Sequence, residues 1–157
     1  MTKTDVTAQE WKEKGNEEFN KGNWSEALSY YTNALKLVDE DNVEKAVYYK
    51  NRAATHLKLR DYENVIKDCD NALKICSNDP KALFRRCQAL EALERFEEAY
   101  RDARNIILSD PNNKVIQPIV ARLHEIVQER HKENSRISAK VNTYIIIINF
   151  INLLDII

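Results

Sequence analysis

The sequence is poor in the residues that break helices: only two glycines and three prolines occur among its 157 residues. A fold built of strands and tight turns uses more of both, so this scarcity argues against a β-rich protein. Neither sign of charge is in excess, since 24 basic and 25 acidic side chains leave a net charge of −1. Bulk charge therefore suggests neither nucleic acid nor an anionic membrane as a partner.

Catalytic and metal-binding patterns are also missing. No Ser-His-Asp, Cys-His or phosphate-loop arrangement appears, and the three histidines lack partners at metal-ligand spacing: His56, His124 and His131. The cysteines are odd in number, and the polar N terminus has no secretory hydrophobic region. We therefore expect reduced thiols in the cytosol or nucleus, and no enzyme, cofactor or metal site.

What the sequence does contain is one pattern written three times. Each copy places a small residue midway along a first helix, an aromatic residue at a turn, and small residues along a second helix. Small residues let paired helices approach closely, and the aromatic residue fills the space beneath the turn. We expect Trp24, Tyr62 and Phe96 to be buried at equivalent turns. The pattern predicts a stack of helix pairs.

This pattern resembles the tetratricopeptide repeat, which has the same period of about 34 residues. The resemblance implies an all-α, right-handed α-solenoid with repeats at about 8–41, 46–79 and 80–113, followed by a capping helix at about 114–135. Residues 1–7 carry no periodicity, so we expect a flexible N terminus.

Several helix ends can be predicted from capping residues. Thr7 and Glu10 have the spacing of a capping box at the start of the first helix. Ser25 is expected to cap the second helix. Asp79 is expected to cap a helix that begins at Pro80, a residue that is favoured at the first helical position.

Along that last helix, two faces differ in chemistry. Leu83, Cys87 and Leu90 recur at steps of three and four and are expected to be buried. Lys81 and Arg85 share another face, because residues four apart lie one above the other on a helix. No acidic residue lies between Pro80 and Leu90, so this face suits an anionic ligand.

Charge is distributed unevenly between the helices of each pair. Stacked repeats curve so that the first helices line an inner groove, and those of the second and third repeats are rich in basic residues. The second helices of these two repeats carry acidic residues: Glu63, Asp68, Asp70, Glu97, Glu98 and Asp102. We expect Lys50, Arg52 and Arg86 to make the groove electropositive, which would favour an acidic peptide.

A group of tetratricopeptide co-chaperones uses five groove residues, the carboxylate clamp, to hold the C-terminal aspartate of heat-shock protein 70 or 90, which end in EEVD. This sequence is similar at all five positions: Lys12, Asn16, Asn51, Lys81 and Arg85. Lysine and arginine supply charge-assisted donors to carboxylate oxygens, and the asparagine amides supply neutral ones. The resemblance does not rank the two heat-shock proteins as partners.

The run ALFRRCQALEALERF, followed by DPNNKVIQ, is similar to the N-terminal repeat domain of the UCS myosin chaperones. The resemblance implies a cytoplasmic co-chaperone adaptor, a short isoform or fragment with the chaperone-docking half of such a protein. Myosin would be a partner only if the downstream armadillo-type domains were present. Two alternatives stay open: the regulatory repeat domain of a clamp-type phosphatase or ubiquitin ligase without its catalytic part, and a tail-anchored chaperone receptor.

The last segment, 136–157, is an atypical hydrophobic tail. Seven isoleucines fall within residues 141–157, interrupted by asparagines and one aspartate, in neither a helical nor an alternating pattern. The run is shorter than the roughly 20 apolar residues of a membrane span, so a membrane anchor is the less favoured interpretation. Isoleucine, asparagine, tyrosine, phenylalanine and leucine, which dominate this run, can all be encoded by A/T-only codons, which favours an isoform tail or read-through. We expect it to pack poorly and to promote aggregation.

Overall fold

The computed structural model describes residues 6–39 and 42–154 of the chain. Within these ranges there are seven helices and no strand. The helices are α1 (Ala8–Lys21), α2 (Trp24–Lys36), α3 (Lys45–Lys58), α4 (Tyr62–Ile75), α5 (Pro80–Ala92), α6 (Phe96–Ser109) and α7 (Ile116–Leu154). Each helix packs on its neighbours in the chain, and α3 also contacts both α1 and α5. The predicted all-α solenoid is confirmed, and α1, α3 and α5 line one side of it.

Two of the predicted helix starts are confirmed by their hydrogen bonds. At α1, the backbone N–H of Glu10 donates to the Thr7 hydroxyl over 3.2 Å, and the backbone N–H of Thr7 donates to the Glu10 carboxylate over 2.7 Å. At α5, the Asp79 carboxylate accepts from the first free backbone N–H groups. Gly22 ends α1 with a φ of 85°, a left-handed conformation that glycine adopts without strain.

The prediction for Ser25 is wrong, because α2 begins one residue earlier, at Trp24. Ser25 lies inside the first turn, where a side chain no longer caps the helix. Asn23 occupies the capping position, but its amide donates to the Glu18 carboxylate over 2.6 Å instead of capping α2.

The three turn aromatics occupy equivalent places, as the first residues of α2, α4 and α6, but they are half-buried instead of buried. Trp24 contacts Phe19 edge to face, with ring centroids 5.0 Å apart. The ring of Phe96 lies 4.4 Å from the guanidinium of Arg130. A ring at the first residue of a helix lies at the edge of the stack, so its outer side stays in contact with solvent.

The core between the helices is made of small residues, as the repeat pattern predicts. Ala27, Ala53 and Ala99 are completely buried. Leu83, Cys87 and Leu90 are buried as well, which confirms the predicted buried face of α5. Cys69 is also buried, whereas Cys76 is exposed. Because these contacts involve backbones at close range, added volume would force the helices apart.

The last helix is much longer than expected. Its first part caps the stack through Ile116, Leu123 and Val127, which are buried on α6. The helix then passes residue 135, where the capping helix was expected to end, and residues 128–151 are all exposed. The isoleucine-rich run therefore lies in this helix, beyond the end predicted for the capping helix. Residues 1–5, 40–41 and 155–157 lie outside the described part, as do the side chains of 152–154. Among the described residues, no helix combines the length and apolar character needed to cross a membrane.

Candidate functional site

Two asparagines from different repeats meet on the inner side of the stack. Asn16 of α1 accepts two hydrogen bonds at Oδ1, one from the Tyr31 hydroxyl over 2.7 Å and one from Asn51 Nδ2 over 3.2 Å. With Oδ1 doubly occupied, the Asn16 amide is oriented so that its Nδ2 is left to donate. The structure therefore fixes a pair of amides between α1 and α3 with donor capacity to spare.

Tyr31 of α2 holds the Asn16 amide in place through its hydroxyl group. Its side chain is buried, and burial raises the pKa of Tyr31 to about 12, so the phenol keeps its proton at neutral pH. The ring rests against Gly15, where a Cβ atom would lie 2.6 Å from it. Glycine is required there by close approach, and the residue after it is Asn16. In the repeat pattern, Tyr31 is one of the packing positions of a second helix, and nothing in the sequence signals its hydrogen bond to Asn16.

Arg85 reaches from α5 across to α3, where its guanidinium donates to the backbone carbonyl of Lys50 over 2.9 Å. Burial lowers the pKa of Arg85, since a cation loses hydration when it leaves water. No carboxylate lies within ion-pair distance of it in the part of the chain that the structure describes. A half-buried guanidinium without an acidic partner is a strong attractor for an anion.

The two remaining clamp candidates are lysines at the edges of the same surface. Lys12 lies one turn before Asn16 on α1, and its Nζ donates to the side chain of Gln9 over 2.7 Å. Lys81 lies one turn before Arg85 on α5, with an exposed side chain. In residues 6–39 and 42–151, neither ammonium forms an ion pair with a carboxylate.

The other three groove cations need a correction, because each is already paired. Arg52 donates two hydrogen bonds to the Asp68 carboxylate, over 2.8 and 2.7 Å, and Arg86 binds Asp102 in the same way. Lys50 forms an ion pair with Asp79, and Arg86 also contacts Asp70. Acids of the second helices pair with Arg52 and Arg86, and the capping residue of α5 pairs with Lys50, so the expected separation of charge between groove and back does not hold at these positions.

A signal for this pairing was present in the sequence. Arg52 and Asp68 are 16 residues apart, and so are Arg86 and Asp102. A basic residue on a first helix and an acid at the same place on the second helix recur in two successive repeats, which indicates a structural ion pair. Both carboxylates are almost fully buried, so these pairs hold the two helices of a repeat together.

Ion pairing therefore sorts the basic residues of the groove into two groups. The paired group contains Lys50, Arg52 and Arg86, which serve the fold. The unpaired group contains Lys12, one turn before Asn16 on α1, and Lys81 and Arg85 on α5, where Arg85 reaches the backbone next to Asn51. A surface of three unpaired cations and two amide donors can bind a ligand that offers several carboxylate oxygens close together.

Comparisons with known proteins find both similar sequences and similar solved structures. No protein-family model matches the chain. The Xenopus laevis protein unc-45 homolog B is 38% identical over 119 residues, which cover 76% of this chain and 13% of that protein. The chain thus spans about an eighth of this relative's length.

Two solved structures are similar in fold and carry peptides. The first TPR of Spaghetti (RPAP3), bound to the HSP90 peptide SRMEEVD, is 30% identical with a TM-score of 0.71, covering 78% of this chain and 94% of that one. The Caenorhabditis elegans myosin chaperone UNC-45, in complex with an Hsp90 peptide, is 35% identical with a TM-score of 0.74, covering 83% of this chain and 15% of that one.

Proposed function

The chain belongs to the tetratricopeptide-repeat family, and we propose that it is a co-chaperone adaptor that binds the acidic C-terminal tail of heat-shock protein 90, of heat-shock protein 70, or of both. The observation that carries the proposal is the group of unpaired cations around the Asn16–Asn51 pair. These residues offer charged and neutral hydrogen-bond donors to an acidic peptide. The similar RPAP3 domain is bound to an acidic peptide, SRMEEVD from HSP90.

Each residue has a distinct task in this proposal. The terminal aspartate of an EEVD tail has two carboxylates, its side chain and its main-chain terminus, and together they present four oxygens. Arg85 and Lys81 approach them from α5, and Lys12 and Asn16 approach from α1. Asn51, on the helix between, donates from the centre. A charge-assisted hydrogen bond contributes about 1.5–3 kcal/mol, so several of them account for micromolar binding of a short peptide.

We also propose no enzymatic activity, since the groove residues are hydrogen-bond donors, and the cytoplasm as the location, because the chain is similar to unc-45 homolog B. The groove residues give no support for binding of myosin by this chain. The similarity to unc-45 homolog B is confined to a small part of that protein. We therefore propose docking of the heat-shock protein as the contribution of this chain, and myosin as a client only if myosin-binding domains are also present.

The experiment is a calorimetric titration of the whole chain with a peptide that ends in EEVD. Three peptides are compared: one with a free C terminus, one with an amidated C terminus, and one whose last aspartate is replaced by asparagine. We expect micromolar binding of the first and at least tenfold weaker binding of each of the others, because each has lost one of the two carboxylates. Equal affinity for all three would refute the proposed site. Titration with heat-shock protein 70 and 90 tails decides their order.

A further inference from the structure

The end of α7 extends away from the repeats. We call residues 131–151 the α7 extension; every one of them is exposed, including four consecutive isoleucines from Ile145 to Ile148. A helix that is this apolar and this exposed is not a stable arrangement for a monomer in water. The extension therefore needs a covering surface, and its sequence indicates which one.

One stripe of positions, apolar except at Arg130 and Asn134, runs along α7 from Ile116 to Ile151. Its positions recur in alternating steps of four and three residues, as in a coiled-coil heptad. They are Ile116, Val120, Leu123, Val127, Arg130, Asn134, Ile137, Val141, Tyr144, Ile148 and Ile151. The first four positions pack on α6. The last five are apolar as well, so the stripe that covers the repeats continues in the same register along the extension.

The change from covered to uncovered stripe occurs at Arg130. Its guanidinium donates to the backbone carbonyl of Glu94 over 3.1 Å and lies over the ring of Phe96, the first residue of α6. Farther back along the helices, Tyr100 contacts His124, with ring centroids 5.4 Å apart. The helix α6 therefore runs antiparallel to α7 and stops where the extension begins. Beyond that point, the stripe has lost its packing partner.

We propose that a second copy of this chain covers the stripe, with the two α7 extensions paired as an antiparallel coiled coil. The direction follows from the place of α6. A parallel pair would bring the two copies of α6 into the same space between the helices, because each already covers its own stripe as far as Arg130. In an antiparallel pair, each extension continues the line of the other copy's α6, and the repeats lie at opposite ends.

The heptad positions support this register. An antiparallel pair joins Asn134 to Ile151, Ile137 to Ile148, and Val141 to Tyr144 of the second copy. Two-fold symmetry repeats each of these contacts, so only the outermost layers contain a polar residue, as the isologous interface of a dimer requires. Asn134 lies at each end of the interface, where its amide is open to water.

The size of the contact is also adequate. Each buried aliphatic or aromatic side chain removes about 60–120 Å² from water, so ten apolar core side chains bury about 600–1,200 Å². Ile145 and Ile147 flank the core on each helix and add to that area. The total reaches the range of at least about 1,000 Å² that distinguishes a specific interface from a chance contact.

The test measures the mass of the full chain by sedimentation over a concentration series. We expect a species of twice the mass of the 157-residue chain. The double variant Val141→Glu/Ile148→Glu places charges in the core of the pair and should raise the dissociation constant at least about 100-fold. Its matched control is Ile146→Glu/Asn149→Glu, which adds the same charges to the opposite side of the helix and should leave the dimer intact.

Orientation is tested with cysteines in a Cys76→Ser background. A mixture of Val141→Cys and Tyr144→Cys chains should form a mixed disulfide, whereas Val141→Cys alone should not, because only antiparallel helices bring these two positions together. Sedimentation with phosphatidylcholine vesicles is measured in parallel. A monomer at all concentrations, equal effects of the two charge variants, self-linking of Val141→Cys, or vesicle binding without dimerisation would each overturn the proposal.

Discussion

Removing Arg85 should abolish most of the peptide affinity and leave the fold intact. The substitution is Arg85→Ala. The guanidinium is half-buried, and among the described residues its one hydrogen bond goes to the Lys50 carbonyl. Its burial already opposes its charge, as the lowered pKa of Arg85 indicates. Loss of one weak contact and loss of a desolvation cost offset each other, so we expect little change in the midpoint of thermal unfolding.

The effect on binding is larger, because a ligand carboxylate loses its charged donor. Charge-assisted hydrogen bonds contribute about 1.5–3 kcal/mol, which corresponds to a loss of affinity of roughly 10- to 150-fold. The assay is calorimetric titration with an EEVD-ended peptide, run with thermal melts of each variant. Raising the salt concentration should weaken the wild type more than the variant, since the variant has one ionic contact fewer.

The matched control is Arg104→Ala, which removes the same charge from an exposed position on α6. It should bind the peptide within about twofold of the wild type, because exposed charges at a distance are screened. An unchanged affinity in Arg85→Ala would refute the assignment. So would an equal loss in Arg104→Ala, or a loss of affinity that is explained by a lower unfolding midpoint.

Three further predictions concern the fold and its thiols. Arg86→Ala should lower the free energy of unfolding by about 3–5 kcal/mol, because it leaves the buried Asp102 carboxylate without a partner, and chemical denaturation measures this. Gly15→Ala should push the Tyr31 ring aside, costing about 1–3 kcal/mol and weakening peptide binding as well, and an unchanged midpoint would contradict the close contact. Iodoacetamide at pH 8 should modify Cys76 first, because it is exposed, whereas burial raises the pKa of both buried thiols to about 12, and equal rates by mass spectrometry would contradict the repeat register.

Much of the fold could be predicted from the sequence, because its determinants are local or periodic. The capping box of Thr7 and Glu10 and the Asp79-Pro80 start of α5 depend on residues close in the chain. The repeat period placed the small residues of the core correctly. The Ser25 cap failed because helix ends vary by one or two residues between equally plausible starts.

The candidate site shows where such reasoning stops. The residue types of Lys12, Asn16, Asn51, Lys81 and Arg85 are in the sequence, and their predicted role in binding remains a proposal. The sequence does not show whether a basic residue at a groove position forms an ion pair within the protein. Arg52 and Arg86 are basic residues next to the proposed clamp residues Asn51 and Arg85 on the same helices. They are nevertheless bound to acids of the second helices.

The sequence by itself determined the helices α1 to α6 and their pairing, because these follow from period, residue size and capping. Tertiary structure alone decided which cations are unpaired, how Tyr31 orients Asn16, and where the stripe of α7 loses its cover. Each of these depends on distances between residues from different helices. Such distances are set by packing, and no pattern along one chain contains them.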